Sequence, residues 1–277
     1  MSFKAYEAKK TADAIASRPP GFATEYDRAP AGLVAIGNAW TRQLFDGAFY
    51  LSPAPGPTRP ACSLVFVQSK DGNTGARNPA TLGGGETDLH LIYEGLSRVG
   101  ADAVMSGAET TRGGGIVFSV WHPELVALRA SLGKPRHPVQ IVATLRGLDV
   151  EHAMLFNVPD LHVVLVTVGT CAQLMRPALA SRPWITPVVM QEPTDLAWAF
   201  EQLRAMGIER ISAVGGRRIA AQMIDAGLVQ EVYLTTSPKT GGEPNTPFYP
   251  RPLDGEVILR KVGVGNEAGV TFQQTLI

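Results

Sequence analysis

The fold follows most directly from the stretch Ile211-Ser-Ala-Val-Gly215-Gly216-Arg217-Arg218-Ile-Ala-Ala-Gln-Met-Ile224. An apolar strand runs into two glycines and passes at once into a helix. Glycines at such a junction let a phosphate approach the backbone, and the helix N-terminus offers free N–H groups and partial positive charge. The two arginines add cationic side chains at the same end. A tight turn without a ligand fits this stretch equally well.

Strands and helices alternate along the rest of the chain. Short apolar runs predict strands at residues 62–68, 101–106, 139–144, 162–167, 211–214 and 231–236. Helical spacing and end signals predict helices at 86–98, 123–131, 195–206 and 217–226, the third capped by Thr194. Residues 257–264 and 270–277 predict a closing antiparallel pair around a turn. Repeated strand–helix–strand units indicate an α/β fold, a mostly parallel sheet flanked by helices, with an antiparallel C-terminal edge.

The first 60 residues differ in character from the remainder. Residues 5–17 predict a short helix, which Pro19-Pro20-Gly21 ends, and residues 51–60 are too rich in proline for regular structure. We therefore predict an N-terminal extension with a proline-rich connector over residues 1–60 and one α/β domain over residues 61–277.

The composition excludes several classes of protein. The formal net charge is zero and no long basic run is present, which argues against binding to nucleic acid or to an anionic membrane. Two cysteines are too few for a disulfide framework, and the apolar runs are too short to cross a bilayer. Because the chain also opens without an apolar secretion signal, we expect a cytoplasmic protein that acts on a small molecule.

A second strand ends in a glycine, as the 211–214 strand does. Gly107 closes this strand, and Thr110, Thr111 and Arg112 follow within five residues. Hydroxyls and an arginine beside a glycine are suited to a phosphate. Thr110 could equally cap a helix, and the two roles are compatible.

Two more strands are each expected to end in a threonine before a loop. Thr144 ends the first and Thr167 the second, and Arg146 follows Thr144 after one residue. A hydroxyl followed by an arginine suits the 2′-phosphate that distinguishes NADPH from NADH. Threonine and arginine are common in loops, so this pattern is weak when taken alone.

The fourth motif is the loop Ser69-Lys-Asp71-Gly72-Asn73-Thr74-Gly75, which follows the apolar run at residues 62–68. It combines a carboxylate and an amide in a glycine-bounded segment. A solvated turn is the alternative, because Asp-Gly-Asn is a good turn sequence.

The order of these four motifs resembles the dihydrofolate-reductase superfamily. Within it, Ser69-x-Asp71-Gly72 and Ala101-Asp-Ala-Val-Met-Ser-Gly-Ala-Glu-Thr-Thr-Arg112 resemble signatures of the pyrimidine reductases of riboflavin synthesis, the C-terminal domain of bacterial deaminase-reductases. Ala226-Gly-Leu-Val-Gln-Glu-Val-Tyr-Leu234 is similar to a third signature, followed by Ser-Pro and Gly-Gly pairs at 237–238 and 241–242. The resemblance covers residues 61–277.

The resemblance implies an NADPH-dependent oxidoreductase, a homodimer, with the cofactor across the carboxyl ends of the strands. It implies the following cofactor-binding residues: Asn73, Thr74, Gly75, Gly107, Thr110, Thr111, Thr144, Arg146, Thr167, Gly215, Gly216, Arg217 and Arg218. Ser69, Asp71, Asn73 and Arg112 are the expected substrate-binding residues. The protein must place the nicotinamide against an electrophilic carbon, and Asp71 or an ordered water is the candidate proton donor.

Three departures from the family pattern fall where the family meets its substrate. Val214 replaces a glutamate, Asn73 replaces a basic residue, and Gly113–Gly115 replace an acidic and proline-containing segment. The implied substrate is 5-amino-6-(5-phosphoribosylamino)uracil; a pterin or another small carbonyl or imine compound, or a nucleotide-binding pseudo-enzyme, are the alternatives. We hypothesise weak or absent turnover of the uracil intermediate, because charged groups are lost.

No metal site is expected. His122-Pro-Glu124 has the His-x-Glu pattern of a zinc deaminase, but no Pro-Cys-x-x-Cys completes it. The other histidines show no ligand spacing, and hydride transfer from a well-placed cofactor needs no metal. We therefore predict neither a bound metal nor a fused deaminase.

Overall fold

A ten-stranded sheet forms the centre of the computed structural model, which describes residues 1–76, 78–112 and 116–277. The strands are β1 (Phe22–Asp27), β2 (Val34–Ile36), β3 (Phe49–Leu51), β4 (Ala61–Gln68), β5 (Ala103–Gly107), β6 (Val139–Ala143), β7 (Val163–Val168), β8 (Ile185–Met190), β9 (Arg210–Ala213), β10 (Glu231–Thr236), β11 (Glu256–Gly263) and β12 (Thr271–Leu276). The α-helices are α1 (Phe3–Ala16), α2 (Ala39–Phe45), α3 (Ser97–Val99), α4 (Ala108–Thr111), α5 (Pro123–Ser131), α6 (Gly169–Leu179), α7 (Leu196–Ala205) and α8 (Arg217–Asp225). A π-helix, Thr87–Leu96, leads into α3.

The sheet is parallel over most of its width. Its order is β1-β11-β12-β10-β4-β9-β5-β6-β7-β8, and the seven strands from β10 to β8 are parallel neighbours. Strands β12, β11 and β1 extend the β10 side as antiparallel neighbours. The predicted mostly parallel sheet with an antiparallel C-terminal edge is therefore confirmed.

Side chains of the central strand β4 alternate between two cores. Leu64 and Phe66 pack in a core that also contains Leu203 of α7 and Met223 of α8. Val65 points to the opposite face, into a core that includes residues of the π-helix. This alternation with a period of two is what a sheet covered on both faces requires.

Between β7 and α7, the structure has a helix and a strand that the sequence did not predict. Strand β7 continues to Val168, and α6 begins at the next residue, so Thr167 does not end a strand before a loop. Strand β8 then forms the far edge of the sheet. Each element contains a proline, Pro177 in α6 and Pro187 in β8. Because proline ordinarily argues against a helix interior and against a strand, the sequence did not predict either element.

Two local expectations need correction. Asp195, and not Thr194, occupies the N-cap position of α7. The helix predicted at residues 86–98 is a π-helix over most of its length, and its Gly95 departs from helical geometry with φ −127° and ψ −111°. A Cβ added to Gly95 would lie 2.8 Å from the carbonyl oxygen of His90 and 3.0 Å from the Leu125 side chain, so only glycine fits there.

The N-terminal 60 residues pack against this sheet. Strand β1 pairs with β11, and Phe22, Phe45 and Phe49 are buried in the same core as Phe272 of β12. After β3, residues 52–60 contain no helix or strand, as their prolines predict. The division of the chain at residue 60 stays a prediction.

Candidate active site

The four sequence motifs lie at one edge of the sheet. The strands that carry them are parallel, and their residues stand side by side: Thr236 pairs with Gln68, Met105 with Ala213, and Gly107 with Ala143. Since carboxyl ends of parallel strands meet at the same edge, the segments after β4, β5, β6, β9 and β10 surround a common region. This edge is where open α/β sheets ordinarily bind ligands.

The two glycine junctions touch each other. A Cβ added to Gly216 would lie 3.7 Å from the Cα of Gly107, and one added to Gly215 would lie 3.5 Å from the Thr110 hydroxyl. Gly215 and Gly216 have φ of 101° and 89°, so the turn itself favours glycine. Helix α8 starts directly at Arg217, with no side-chain cap on its free N–H groups. Backbone donors there remain available to an anion.

Thr110 does not cap a helix. Helix α4 starts after Gly107, which occupies the N-cap position, and Thr110 lies inside its single turn. The neighbouring Thr111 is buried, and its hydroxyl donates to the carbonyl of Ala108 at 2.8 Å. Thr110 therefore faces Gly215 with its hydroxyl, whereas Thr111 supports the turn.

A cleft of about 460 Å³ opens beside these junctions, after β6. Arg112 and Arg146 line it together with the apolar side chains Leu148, Leu174 and Met175 and the carboxylates of Asp149 and Glu151. The two guanidinium groups and the apolar wall from α6 suit a phosphate next to an aromatic base. Arg112 was expected at the substrate, but the structure places it in the same cleft as Arg146.

Neither Thr144 nor Thr167, both predicted to bind the cofactor, exposes its hydroxyl to this cleft. Thr144 is buried, and its hydroxyl donates to the carbonyl of Gly147 at 3.1 Å, which closes the loop that carries Arg146. Thr167 is completely buried inside β7, and its hydroxyl has no hydrogen-bond partner among the residues described. Arg146 is the exposed group of this set.

The loop after β4 is fastened to the segment after β10. The Asp71 carboxylate accepts from the Gly241 N–H at 3.2 Å, and the Asn73 amide donates to the Gly241 carbonyl at 3.1 Å. The hydroxyl of Thr74 donates to the carbonyl of Thr246 at 2.8 Å. Ser69 is buried at the base of the loop, where its hydroxyl accepts from the Asn73 N–H. These polar side chains hold the shape of the loop, a role that the sequence motif does not reveal.

A second charged contact joins this segment to the glycine junction. Arg217, the first residue of α8, lies 3.7 Å from the carboxylate of Glu243. A Cβ added to Gly75 would lie 2.8 Å from the same carboxylate. The loop after β4, the segment after β10 and the start of α8 are therefore in mutual contact, while Arg218 is exposed.

One buried carboxyl at this edge was not singled out from the sequence. Asp88, in the first turn of the π-helix, is 8% exposed, and burial raises its pKa to about 6. The nearby Thr235 hydroxyl opposes this pKa shift and the Glu267 carboxylate adds to it. A polar residue at a helix start is typical of an ordinary first turn, so nothing in the local sequence marked it.

The described ranges 1–76, 78–112 and 116–277 contain no group of three or more His, Cys, Asp or Glu side chains placed to hold a metal ion. Nor does any helix in them combine the length and apolar character that a bilayer crossing demands.

Comparisons with known proteins agree on one family. The family model of the RibD C-terminal domain matches residues 60–266. The 2,5-diamino-6-ribosylamino-4(3H)-pyrimidinone 5′-phosphate reductase of Methanothermobacter thermautotrophicus is 27% identical over 184 residues, which are 66% of this chain and 80% of that protein. The protein of the same name from Archaeoglobus fulgidus is 26% identical over 176 residues, 64% of this chain and 77% of that protein.

Solved structures agree at the level of the fold. A pyrimidine reductase-like protein from Corynebacterium diphtheriae superimposes with a TM-score of 0.64 and 21% identity, over 79% of this chain and 92% of that one. RibD from Acinetobacter baumannii gives a TM-score of 0.59 and 14% identity, over 79% of this chain and 58% of that one. The fold and the family resemblance predicted from the sequence are confirmed, and with them the class of enzyme, an oxidoreductase. The chain belongs to the RibD C-terminal domain family.

Proposed function

We propose that the chain is an NADPH-dependent reductase that converts the ribosyl group of a ribosylamino-pyrimidine 5′-phosphate into a ribityl group. The observation that carries this proposal is the contact between the two glycine junctions, Gly107 and Gly216, at the carboxyl edge of a parallel sheet. The backbone at this contact carries no side chains, and the uncapped start of α8 lies next to it. A pyrophosphate fits such a place because it needs close backbone approach and N–H donors.

The cleft beside β6 supports the choice of NADPH over NADH. Arg146 and Arg112 would meet the 2′-phosphate, and Leu174 and Met175 would cover the adenine. The residues present therefore fit both ends of the nucleotide. When bound, NADPH supplies a hydride, and the protein supplies position and surroundings.

The chain's own residues have three tasks in this reaction. The loop of Asp71 and Asn73 would cover the substrate, because its hydrogen bonds to the segment after β10 hold it at the edge. It would also exclude water from the reacting carbon. A new C–H bond forms at C1 of the ribose, the bond from C1 to the ring oxygen breaks, and one proton ends on that oxygen. Asp71 remains a candidate for delivering this proton, directly or through water.

The proposed substrate is 2,5-diamino-6-ribosylamino-4(3H)-pyrimidinone 5′-phosphate, which the curated relatives name. The uracil analogue is the second candidate, for which the sequence departures suggest weak turnover. Val214 supports this distinction, since it is buried in an apolar core and offers no charged group to a substrate. Gly113–Gly115 lie outside the described residues.

The test follows NADPH oxidation with each pyrimidine and identifies the ribityl product by mass spectrometry. Saturable oxidation with the diaminopyrimidinone is expected. Gly216→Val should remove cofactor binding, because its Cβ would face Gly107 and the ligand, while Gly133→Val, at a turn with open space around it, should keep binding. Thermal unfolding of both variants separates lost binding from lost folding, since both glycines have positive φ. Absence of the ribityl product with every pyrimidine would refute the proposal.

A further inference from the structure

The segment of residues 116–121 is buried although it forms neither a helix nor a strand. Ile116 is partly buried, and each of the next five residues is at most 1% exposed. Backbone N–H and C=O groups in such a segment lack the partners that a helix or a sheet would give them, and leaving them unpaired in the interior is costly. The conformation of this segment therefore depends on side chains from other parts of the chain.

Two side chains from beyond residue 60 supply partners for the middle of the segment. The side-chain amide of Gln140, in β6, accepts from the Phe118 N–H and donates to the Phe118 carbonyl, both at 2.9 Å. This amide thus pairs with the segment as the backbone of a neighbouring strand would. Arg98 donates to the Ser119 carbonyl at 3.0 Å.

The N-terminal helix α1 acts on both ends of the segment. Near the start of the segment, the buried Tyr6 hydroxyl accepts from the Val117 N–H at 3.3 Å. Near its end, Arg136 donates to the Val120 carbonyl at 2.8 Å, and the Glu7 carboxylate lies 3.0 Å from the same guanidinium. Helix α1 therefore provides one backbone partner directly and holds the side chain that provides another.

The 116–121 segment shares a core with the wall of the cleft after β6. Val117 and Tyr6 belong to the same buried core as Val150 and Met175, and these last two residues line the cleft. The segment also begins four residues after Arg112, which lines the cleft as well. Because close-packed interiors transmit small displacements, a shift of the segment would change the shape of the cleft.

We propose that α1 positions the cofactor cleft: Tyr6 and Glu7 fix the 116–121 segment, and this segment supports the cleft wall that receives the adenosine end of the cofactor. This inference rests on the proposed function and extends it to a helix that lies outside residues 60–266, the region of the family match. Coupling between two sites is reciprocal, so bound cofactor in turn strengthens the docking of α1.

Tyr6→Phe is the decisive variant, because it keeps the ring in the core and removes only the acceptor of the Val117 N–H. NADPH affinity, measured by calorimetry, should fall about three- to tenfold, since part of the cost of an unpaired buried N–H appears in the cleft. At saturating NADPH, KM for the pyrimidine should stay unchanged, because other contacts hold the loop after β4. Tyr50→Phe removes a hydroxyl bond to Asp27 in the same N-terminal part of the chain, and this matched control should keep wild-type NADPH affinity.

A linkage experiment gives a readout that a purely structural role of Tyr6 would not change. Hydrogen exchange of the backbone amides of α1 is followed by mass spectrometry, with and without NADP⁺. In the wild type and in Tyr50→Phe, bound NADP⁺ should slow this exchange, because it opposes the local opening of the helix. The slowing should be smaller in Tyr6→Phe.

The outcomes separate this inference from the proposed function. If the wild type forms the ribityl product but Tyr6→Phe binds NADPH as tightly, or NADP⁺ leaves the exchange of α1 unchanged, the role of α1 is refuted and the proposed function stands. If Tyr6→Phe weakens NADPH binding but the wild type reduces no pyrimidine, the proposed function fails and the role of α1 stands.

Discussion

Several single residues at the edge of the sheet have a role other than the one that the local sequence suggests. Asn73, Thr74 and Ser69 look like ligand-binding side chains in the motif, yet in the structure they bond to the protein itself and set the shape of a loop. Asp88 shows the reverse, because it looks like part of an ordinary helix start and proves to be buried beside the Thr235 hydroxyl, with a raised pKa. The role of a polar side chain therefore depends on what surrounds it in three dimensions.

Asp88 should make stability depend on pH in a definite direction. Burial raises its pKa from 3.8 to about 6, so the native state holds the proton more tightly than the unfolded chain. Its contribution to stability is therefore greatest below pH 4 and is lost as the pH rises towards 6. Asp88→Asn removes this loss. Above pH 6, the free energy of unfolding of the variant should therefore exceed that of the wild type by up to about 3 kcal/mol.

Urea unfolding of both proteins across pH 4–8 measures this effect. The difference in free energy of unfolding should grow between pH 4 and 6 and then stay constant. A difference that does not change with pH would show that Asp88 has an ordinary pKa in the folded protein.

Arg146 should decide between the two nicotinamide cofactors. It is exposed and lines the cleft after β6, where a charge-assisted contact to the 2′-phosphate would contribute roughly 1.5–3 kcal/mol. Arg146→Ala should therefore weaken NADPH binding about ten- to a hundredfold and leave NADH almost unchanged. Calorimetry with both cofactors measures this. Equal affinities of the wild type for NADPH and NADH would contradict a contact between Arg146 and the 2′-phosphate.

At the scale of elements, α6 has an unusual surface. It follows β7 without a loop, and it places Leu174, 71% exposed, beside Met175 and Ala178 along the cleft. An exposed leucine on its own needs no explanation, but an apolar row facing two arginines is typical of a nucleotide site. The helix therefore supplies the apolar wall and the loop after β6 supplies the charge.

If α6 contacts the adenine and the loop after β6 contacts the 2′-phosphate, the effect of Leu174→Ser can be predicted. The adenine is common to both cofactors, so the variant should weaken NADPH and NADH by the same factor, about three- to tenfold for a partly exposed apolar contact. Leu132→Ser, an exposed leucine at the end of α5, is the matched control and should change neither affinity. A selective loss of NADPH alone in Leu174→Ser would contradict the adenine assignment.

At the scale of the whole molecule, the N-terminal segment and the sheet share one core. Ser52 donates from its N–H and its hydroxyl to the buried Glu231 carboxylate, which also accepts from Gln274 of β12. Phe45 stacks edge-on against Phe272 at 5.4 Å and is completely buried. These contacts tie residues 1–60 to the antiparallel side of the sheet, and we expect the two parts to unfold together.

Phe45→Ala should test this coupling. Losing a fully buried phenylalanine costs about 3–5 kcal/mol, and the loss should appear in the unfolding of the whole chain. Urea transitions are followed by fluorescence of Trp40 in α2 and, in a Trp40→Phe background, of the tryptophans beyond residue 60. Coincident shifts are expected. If only the Trp40 transition shifts, the N-terminal segment is an independent unit.

The sequence by itself determined the alternation of strands and helices, the mostly parallel sheet and the glycine junctions, because each depends on short-range periodicity and on residues that end or permit turns. Those signals are local, because they do not depend on which other segments pack against them. Tertiary structure alone decided which junctions touch, that Arg112 shares a cleft with Arg146, and that proline-containing segments complete α6 and β8. It also decided that Asp88 is buried beside Thr235, since the groups that bury this carboxyl come from segments far apart in the chain.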